Sequence, residues 1–168
     1  MVSGRSMQLT KQIGEYLVAA ELCRRGLIAT TFTGNVPDFD ILAINEKYIT
    51  IPVQVKTIKK GNWQFDAGRY IKIEIDGDIQ KVTGKTDLSD PTLVHIFVKL
   101  IDHGRDEFYI FELRDLQDII FNGYQNYLLE KKGIRPKNPK SKHVAIWPKQ
   151  LTEFKDNWKL IQDREIIN

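Results

Sequence analysis

Residues 48–57, YITIPVQVKT, alternate with a period of two: Ile49, Ile51, Val53 and Val55 interleave with Thr50, Pro52, Gln54 and Lys56. That period belongs to a β-strand, whose successive side chains leave opposite faces. The branched residues need something to pack on, so one face of this strand is expected to be buried and the other polar. The run PDFDILA before it repeats the pattern, with Phe39, Ile41 and Ala43 opposed by Asp38, Asp40 and Leu42. Asn45-Glu46-Lys47 is a tight enough connection to join the two as an antiparallel hairpin, which brings Asp40 and Gln54 onto neighbouring strands. A polar face carrying two acids, an amide and a lysine is either a solvated sheet surface or a site.

Around this hairpin the chain reads as follows. Residues 8–25 form a helix that Gly26 ends. LIATTFT at 27–33 is a strand, and GNVP at 34–37 is a turn. The stretch 61–91 is polar and rich in Gly and Asp, with an accessory hairpin of RYIKIEI and IQKV around Asp76-Gly77-Asp78. Those aspartates are turn formers, since no calcium loop continues from them. LVHIFVKLI (93–101) pairs with EFYIFEL (107–113) across DHGRD, and a helix of about 114–131 follows. HVAIWP is a short strand, and KQLTEFKDNWKLI is expected to close the chain as an amphipathic helix. At 168 residues the chain fits one domain over 1–168 with a core of its own. The order of elements is that of an α/β (α+β) protein with a mixed central sheet flanked by helices.

Several classes are excluded. LVHIFVKLI is the longest apolar run, is interrupted by a lysine and is far short of the ~20 residues of a membrane span. MVSGRSMQLTKQIG lacks the apolar stretch of a signal peptide; SGRSM reads either as native sequence or as an appended segment with the start at Met7. Cys23 is the single cysteine, so no internal disulfide forms, and a reducing, cytoplasmic setting is expected. It sits among apolar helix residues and is expected in the core. His95, His103 and His143 are scattered without zinc-ligand spacing, and P-loop, GxGxxG and GxSxG motifs are absent. A net charge of +3 allows a polyanionic partner, depending on where the charge lies.

The first helix adds one anomaly. Glu15 is followed by Val18, Ala19 and Leu22 at i+3, i+4 and i+7, inside an apolar stripe. A carboxylate there is costly unless a salt bridge, a helix-start position or a cation compensates it. Oxygen ligands from Glu15, Asp40 and Gln54 would suit Mg2+ or Mn2+.

Taken in order, a helix with Gly14-Glu15 and a run of alanines, a closing glycine, PDFDILA and VQVKT resemble the PD-(D/E)xK nuclease superfamily over residues 11–57. The resemblance implies a restriction-endonuclease-like αβββαβ core and a metal-dependent endonuclease that hydrolyses phosphodiester bonds in DNA. It makes Asp40 the motif acid, Lys56 the motif lysine and Glu15 the first-helix glutamate seen in branches that include the Holliday-junction resolvases. Asp38, which follows Pro37, is the reserve acid. Gln54 departs from the commonest pattern, which has Asp or Glu; a QxK form occurs in Mrr-like enzymes. Asp40, the Gln54 side-chain oxygen and the Val55 carbonyl are then expected to hold Mg2+ or Mn2+, with Glu15 binding directly or through water. Lys56 would orient the attacking water or offset charge on the phosphate, and a homodimer would let two sites cut two strands.

Contact with double-stranded DNA has its own candidates. Lys131, Lys132, Arg135, Lys137, Lys140 and Lys142 lie in one acid-free loop ending at His143. Lys59 and Lys60, with Trp63 and Phe65, follow the site strand directly. Both clusters could track a phosphate backbone or merely be solvated loop charge. Two other readings stand beside a nuclease: a non-catalytic nucleic-acid-binding module that kept the fold, and an interaction subunit whose polar face is structural.

Overall fold

The computed structural model describes residues 4–32 and 37–165. In chain order the elements are α1 (Gly4–Arg24), β1 (Ile28–Thr31), β2 (Ile41–Ile44), β3 (Thr50–Ile58), β4 (Trp63–Asp66), β5 (Ile71–Asp76) and β6 (Ile79–Lys85). They continue with β7 (Val94–Lys99), β8 (Glu107–Glu112), α2 (Leu113–Glu130), β9 (His143–Ile146) and the single-turn α3 (Lys159–Gln162). The turn expected at 34–37 lies outside the described residues except for Pro37.

α1 starts earlier than residue 8 and stops where Gly26 takes a φ of 83°. There the Gly26 N–H donates to Cys23 C=O at 3.0 Å and the Leu27 N–H to Leu22 C=O at 3.1 Å. This is a Schellman cap, and buried Leu22 and Leu27 supply its apolar contact. Gly14, Val18 and Leu22, four residues apart, are the buried face of the helix. Cys23 lies about 100° further round and is exposed, so it is not the core residue expected.

Five strands form one mixed sheet in the order β1-β2-β3-β7-β8, with β3 and β7 parallel and the other pairs antiparallel. One face carries Ile41, Ala43, Ile51, Val53, Val55, Ile96, Val98 and Ile110, and packs against Val18 and Leu22 of α1 and Trp158 and Ile161 near the end of the chain. The other face carries Phe97, Tyr109 and Phe111 and packs against Leu116, Ile120 and Tyr124 of α2. β7 is covered on both sides, which accounts for its unbroken apolar run.

The crossover from β3 to parallel β7 passes through β4, a 3-10 turn at Ala67–Arg69 and the β5–β6 hairpin. That hairpin turns at Gly77 with a φ of 57°, as the Asp-Gly-Asp turn implied. β4 pairs antiparallel with β9, from Trp63↔Ile146 to Asp66↔His143. Trp63 is 3% exposed and Phe65 is also buried, so both are core residues rather than partners of Lys59 and Lys60 in an accessible cluster.

The closing amphipathic helix does not form. Two 3-10 turns at Pro148–Gln150 and Thr152–Phe154 precede α3. Between them and α3, Lys155 bridges to Tyr109, the Asp156 N–H donates to Phe108 C=O at 2.9 Å, and Asp156 has a φ of 55°. The open edge of β8 takes backbone groups that a helix would have used.

Candidate active site

The β2–β3 register runs from Ile44↔Thr50 to Ile41↔Val53, and Asp40 lies just before the first residue of β2. The Asp40 N–H donates to Val53 C=O at 2.9 Å, one residue out of the regular register, and so holds Asp40 at the start of β2. The carboxylate then turns back onto β3. Its Oδ2 accepts the Val55 N–H at 2.9 Å and the Gln54 side-chain N–H at 3.0 Å. An acid at position 54 would repel Asp40, whereas the amide donates to it.

α1 brings a second acid to the same place. At Gly14 the helix runs so close to β3 that a Cβ there would stand 1.8 Å from Thr57 Oγ1. The next residue, Glu15, is therefore held beside the end of β2. Lys11, one helical turn earlier, reaches both acids: its Nζ is 3.0 Å from Asp40 Oδ1 and 3.4 Å from Glu15 Oε1. Burial, and then the Asp40 charge, push the Glu15 carboxyl above its usual pKa, and Lys11 partly offsets them. The hydrogen bond to Asp40 holds the Lys11 ammonium above its ordinary value. The stripe anomaly of Glu15 is thus compensated by a salt bridge, and Lys11 is the site residue the sequence reading missed. Its only sequence signal is the i,i+4 spacing to Glu15.

Lys56 shares the polar face of β3 with Gln54. Burial lowers its pKa, Asp40 opposes that, and Lys11 and Arg69 add to it. Its ammonium lies 5.6 Å from the Phe65 ring centroid, and its backbone C=O accepts the Trp63 indole N–H at 3.0 Å. His95 pairs with Gln54 in the β3–β7 register; burial lowers its pKa to about 4, so it is neutral at pH 7. Asp38 is exposed with a φ of 72° and makes no ion pair among the described residues.

The donor set suits a hydrated divalent ion. Among the described residues no three His, Cys, Asp or Glu side chains gather, so no all-acid cage forms. Mg2+ needs less, since it keeps several waters and takes one or two carboxylates. Glu15 and Asp40 already converge on one cation, the Lys11 ammonium. That side chain is 56% exposed, and a half-turn of the Gln54 amide would present its oxygen.

The basic candidates divide by place. Lys59 and Lys60 are exposed in the turn after β3. Lys140 and Lys142 line an open groove of about 670 Å³ together with Lys56 and Arg69. The Arg135 guanidinium lies 5.3 Å from the ring centroids of both Tyr124 and Tyr127. Lys132 borders a different hollow, with Lys81 and Gly133, and Lys131 caps α2. Lys137 lies beside Arg135.

In sequence, no protein-family model and no curated protein matches the chain. In structure it resembles a nuclease. Its mixed sheet with flanking helices is a nuclease-like α/β fold, shared with the bacterial homing endonuclease I-Ssp6803I at a TM-score of 0.50. That match covers 94% of each chain at 14% identity, a likeness of fold. Among the described residues no helix is long and apolar enough to cross a membrane.

Proposed function

We propose that the protein is a metal-dependent endonuclease of the PD-(D/E)xK type, acting on DNA as a homodimer. The observation that carries this reading is the convergence of Asp40 and Glu15 on one cation, with Asp40 also hydrogen-bonded to the Gln54 amide, on the face that bears Lys56. The homing endonuclease that shares the fold supports nucleic acid as the substrate class.

Asp40, the Gln54 side-chain oxygen, the Val55 carbonyl and Glu15 would hold Mg2+ or Mn2+, with Lys11 displaced. The bound ion supplies Lewis acidity and a more acidic water. Lys56 does the rest of the electrostatic work: its half-buried ammonium, unpaired among the described residues, stands where charge builds on phosphate oxygens. The neighbouring hollow of about 420 Å³, lined by Lys11, Gln54, Lys56, Asn62 and Gln64, gives that phosphate room.

The test is Mn2+ binding by calorimetry together with plasmid cleavage. The parent is expected to bind the ion and cut; Asp40→Asn should lose binding, and Lys56→Ala should keep binding but lose cleavage. An Asp40→Asn protein that binds Mn2+ like the parent, or a Lys56→Ala protein that cuts like it, refutes the reading. Lys11 also favours a second one: a tethered ammonium that neutralises the acid pair is what a non-catalytic DNA-binding module would keep. Absence of metal binding in the parent would move the assignment there.

A further inference from the structure

The groove beside Lys56 gathers cations from three distant parts of the chain. Lys56 comes from β3, Arg69 from the 3-10 turn after β4, and Lys140 and Lys142 from the loop before β9. The assembly is built rather than incidental. The β4–β9 ladder ends at Asp66↔His143, the Ala67 N–H donates to Lys142 C=O at 2.8 Å, and the Lys142 stem lies along Gly68, where a Cβ would meet its Cδ at 3.0 Å. None of the four cations makes an ion pair within 4.0 Å among the described residues. The one carboxylate on the wall, Asp66, is engaged by the Gly68 N–H at 2.9 Å. Four cations against one wall carboxylate leave the groove with a net positive charge that a polyanion would neutralise.

We infer that this groove is the backbone-binding track for one strand of the nucleic acid. Lys56 is its inner end, and Arg69, Lys140 and Lys142 take the phosphates that lead away from the cleavage site. This rests on the nuclease reading for the meaning of Lys56, and it assigns Arg69 a binding role. It also divides the basic loop: Lys140 and Lys142 contact substrate, while Lys132 borders a separate hollow beside β6 and Lys131 caps α2.

The probe is a duplex DNA of about 20 base pairs in EDTA, titrated by fluorescence anisotropy between about 50 and 200 mM salt. Two variants remove three positive charges each: R69A/K140A/K142Q from the groove, and K81A/K131A/K132A from the hollow beside β6 and the adjoining end of α2. Each neutralised phosphate contributes about 0.9 to the slope of log affinity against log salt, so the groove triple should flatten it by about 2.7. The comparison triple should change the slope by less than about 1. The K142Q change keeps part of the packed stem, and R69A alone, at an exposed position, should flatten the slope by about 0.9. Equal losses from the two triples, a parental slope in the groove triple, or a parent that does not bind DNA would overturn the inference. The assay contains no metal, so a failure of Mn2+ binding would strike the catalytic reading and leave the groove standing.

Discussion

The Lys11 ammonium stands 3.0 Å from the Asp40 carboxylate while also touching Glu15, so a single flexible side chain joins helix α1 to the start of strand β2. Without it two half-buried carboxylates would face each other. In Lys11→Met, stability in EDTA is expected to fall by about 1 kcal/mol, since exposed ion pairs are individually weak, while Mn2+ affinity rises because the competing cation is gone. Urea melts and calorimetry measure the two effects. Unchanged metal affinity in Lys11→Met would show that the ammonium and the ion do not share a place.

Gly14 makes the approach of α1 to β3 possible. Gly14→Ala gains up to about 1 kcal/mol of helix propensity but drives a methyl into Thr57, an overpacking that costs about 1–3 kcal/mol. The contact at Thr57 Oγ1 is severe, so net destabilisation is expected in denaturant titrations. A Gly14→Ala protein as stable as the parent would contradict that packing.

Thr57 offers the opposite change. Its buried hydroxyl has no hydrogen-bond partner among the described residues. Thr57→Val replaces that oxygen with a methyl group, and the gain expected is about 1 kcal/mol, read as a rise in the urea midpoint. A drop in the midpoint would point to an unseen partner for the hydroxyl.

Glu107 governs acid stability. Lys155, Tyr109 and Lys99 hold its carboxyl at a pKa of about 2, below the ordinary 4.5. An acid with a depressed folded-state pKa stabilises the fold above the unfolded value and loses that contribution as pH falls through the folded one. The parent should therefore lose stability between pH 4.5 and about 2, on the order of 1–2 kcal/mol after screening. Glu107→Gln should be less stable at pH 7 and show a flatter acid limb. Superimposable acid melts of the two proteins would remove Glu107 from that role.

Cys23, exposed near the end of α1, should react completely with a thiol reagent in the native protein. Protection until denaturant is added would return it to the core.

The hairpin of β2 and β3 was legible because its period of two and its short turn were both local, and they predicted the Asp40–Gln54 juxtaposition. Lys11 was not legible: a lysine four residues before a glutamate is ordinary on any helix, and its reach to Asp40 depends on where Gly14 seats the helix on the sheet. Trp63 and Phe65 were misread because their cover includes Phe97 of β7 and Tyr109 of β8, far along the chain, and nothing in WQFD announces that packing. The C-terminal segment has apolar residues at helical spacing, yet the β8 edge binds its backbone first. Local patterns were readable, and contacts set by how distant elements dock were not.

The ladder between β4 and β9 has a consequence for synthesis. Glu15, Asp40, Gln54 and Lys56 have all left the ribosome early, but Lys140 and Lys142 reach Arg69 only after residues 143–146 have emerged and paired. A nascent chain would thus carry its acid pair long before it could grip a polyanion, and the hold on substrate would be among the last properties the folding protein acquires.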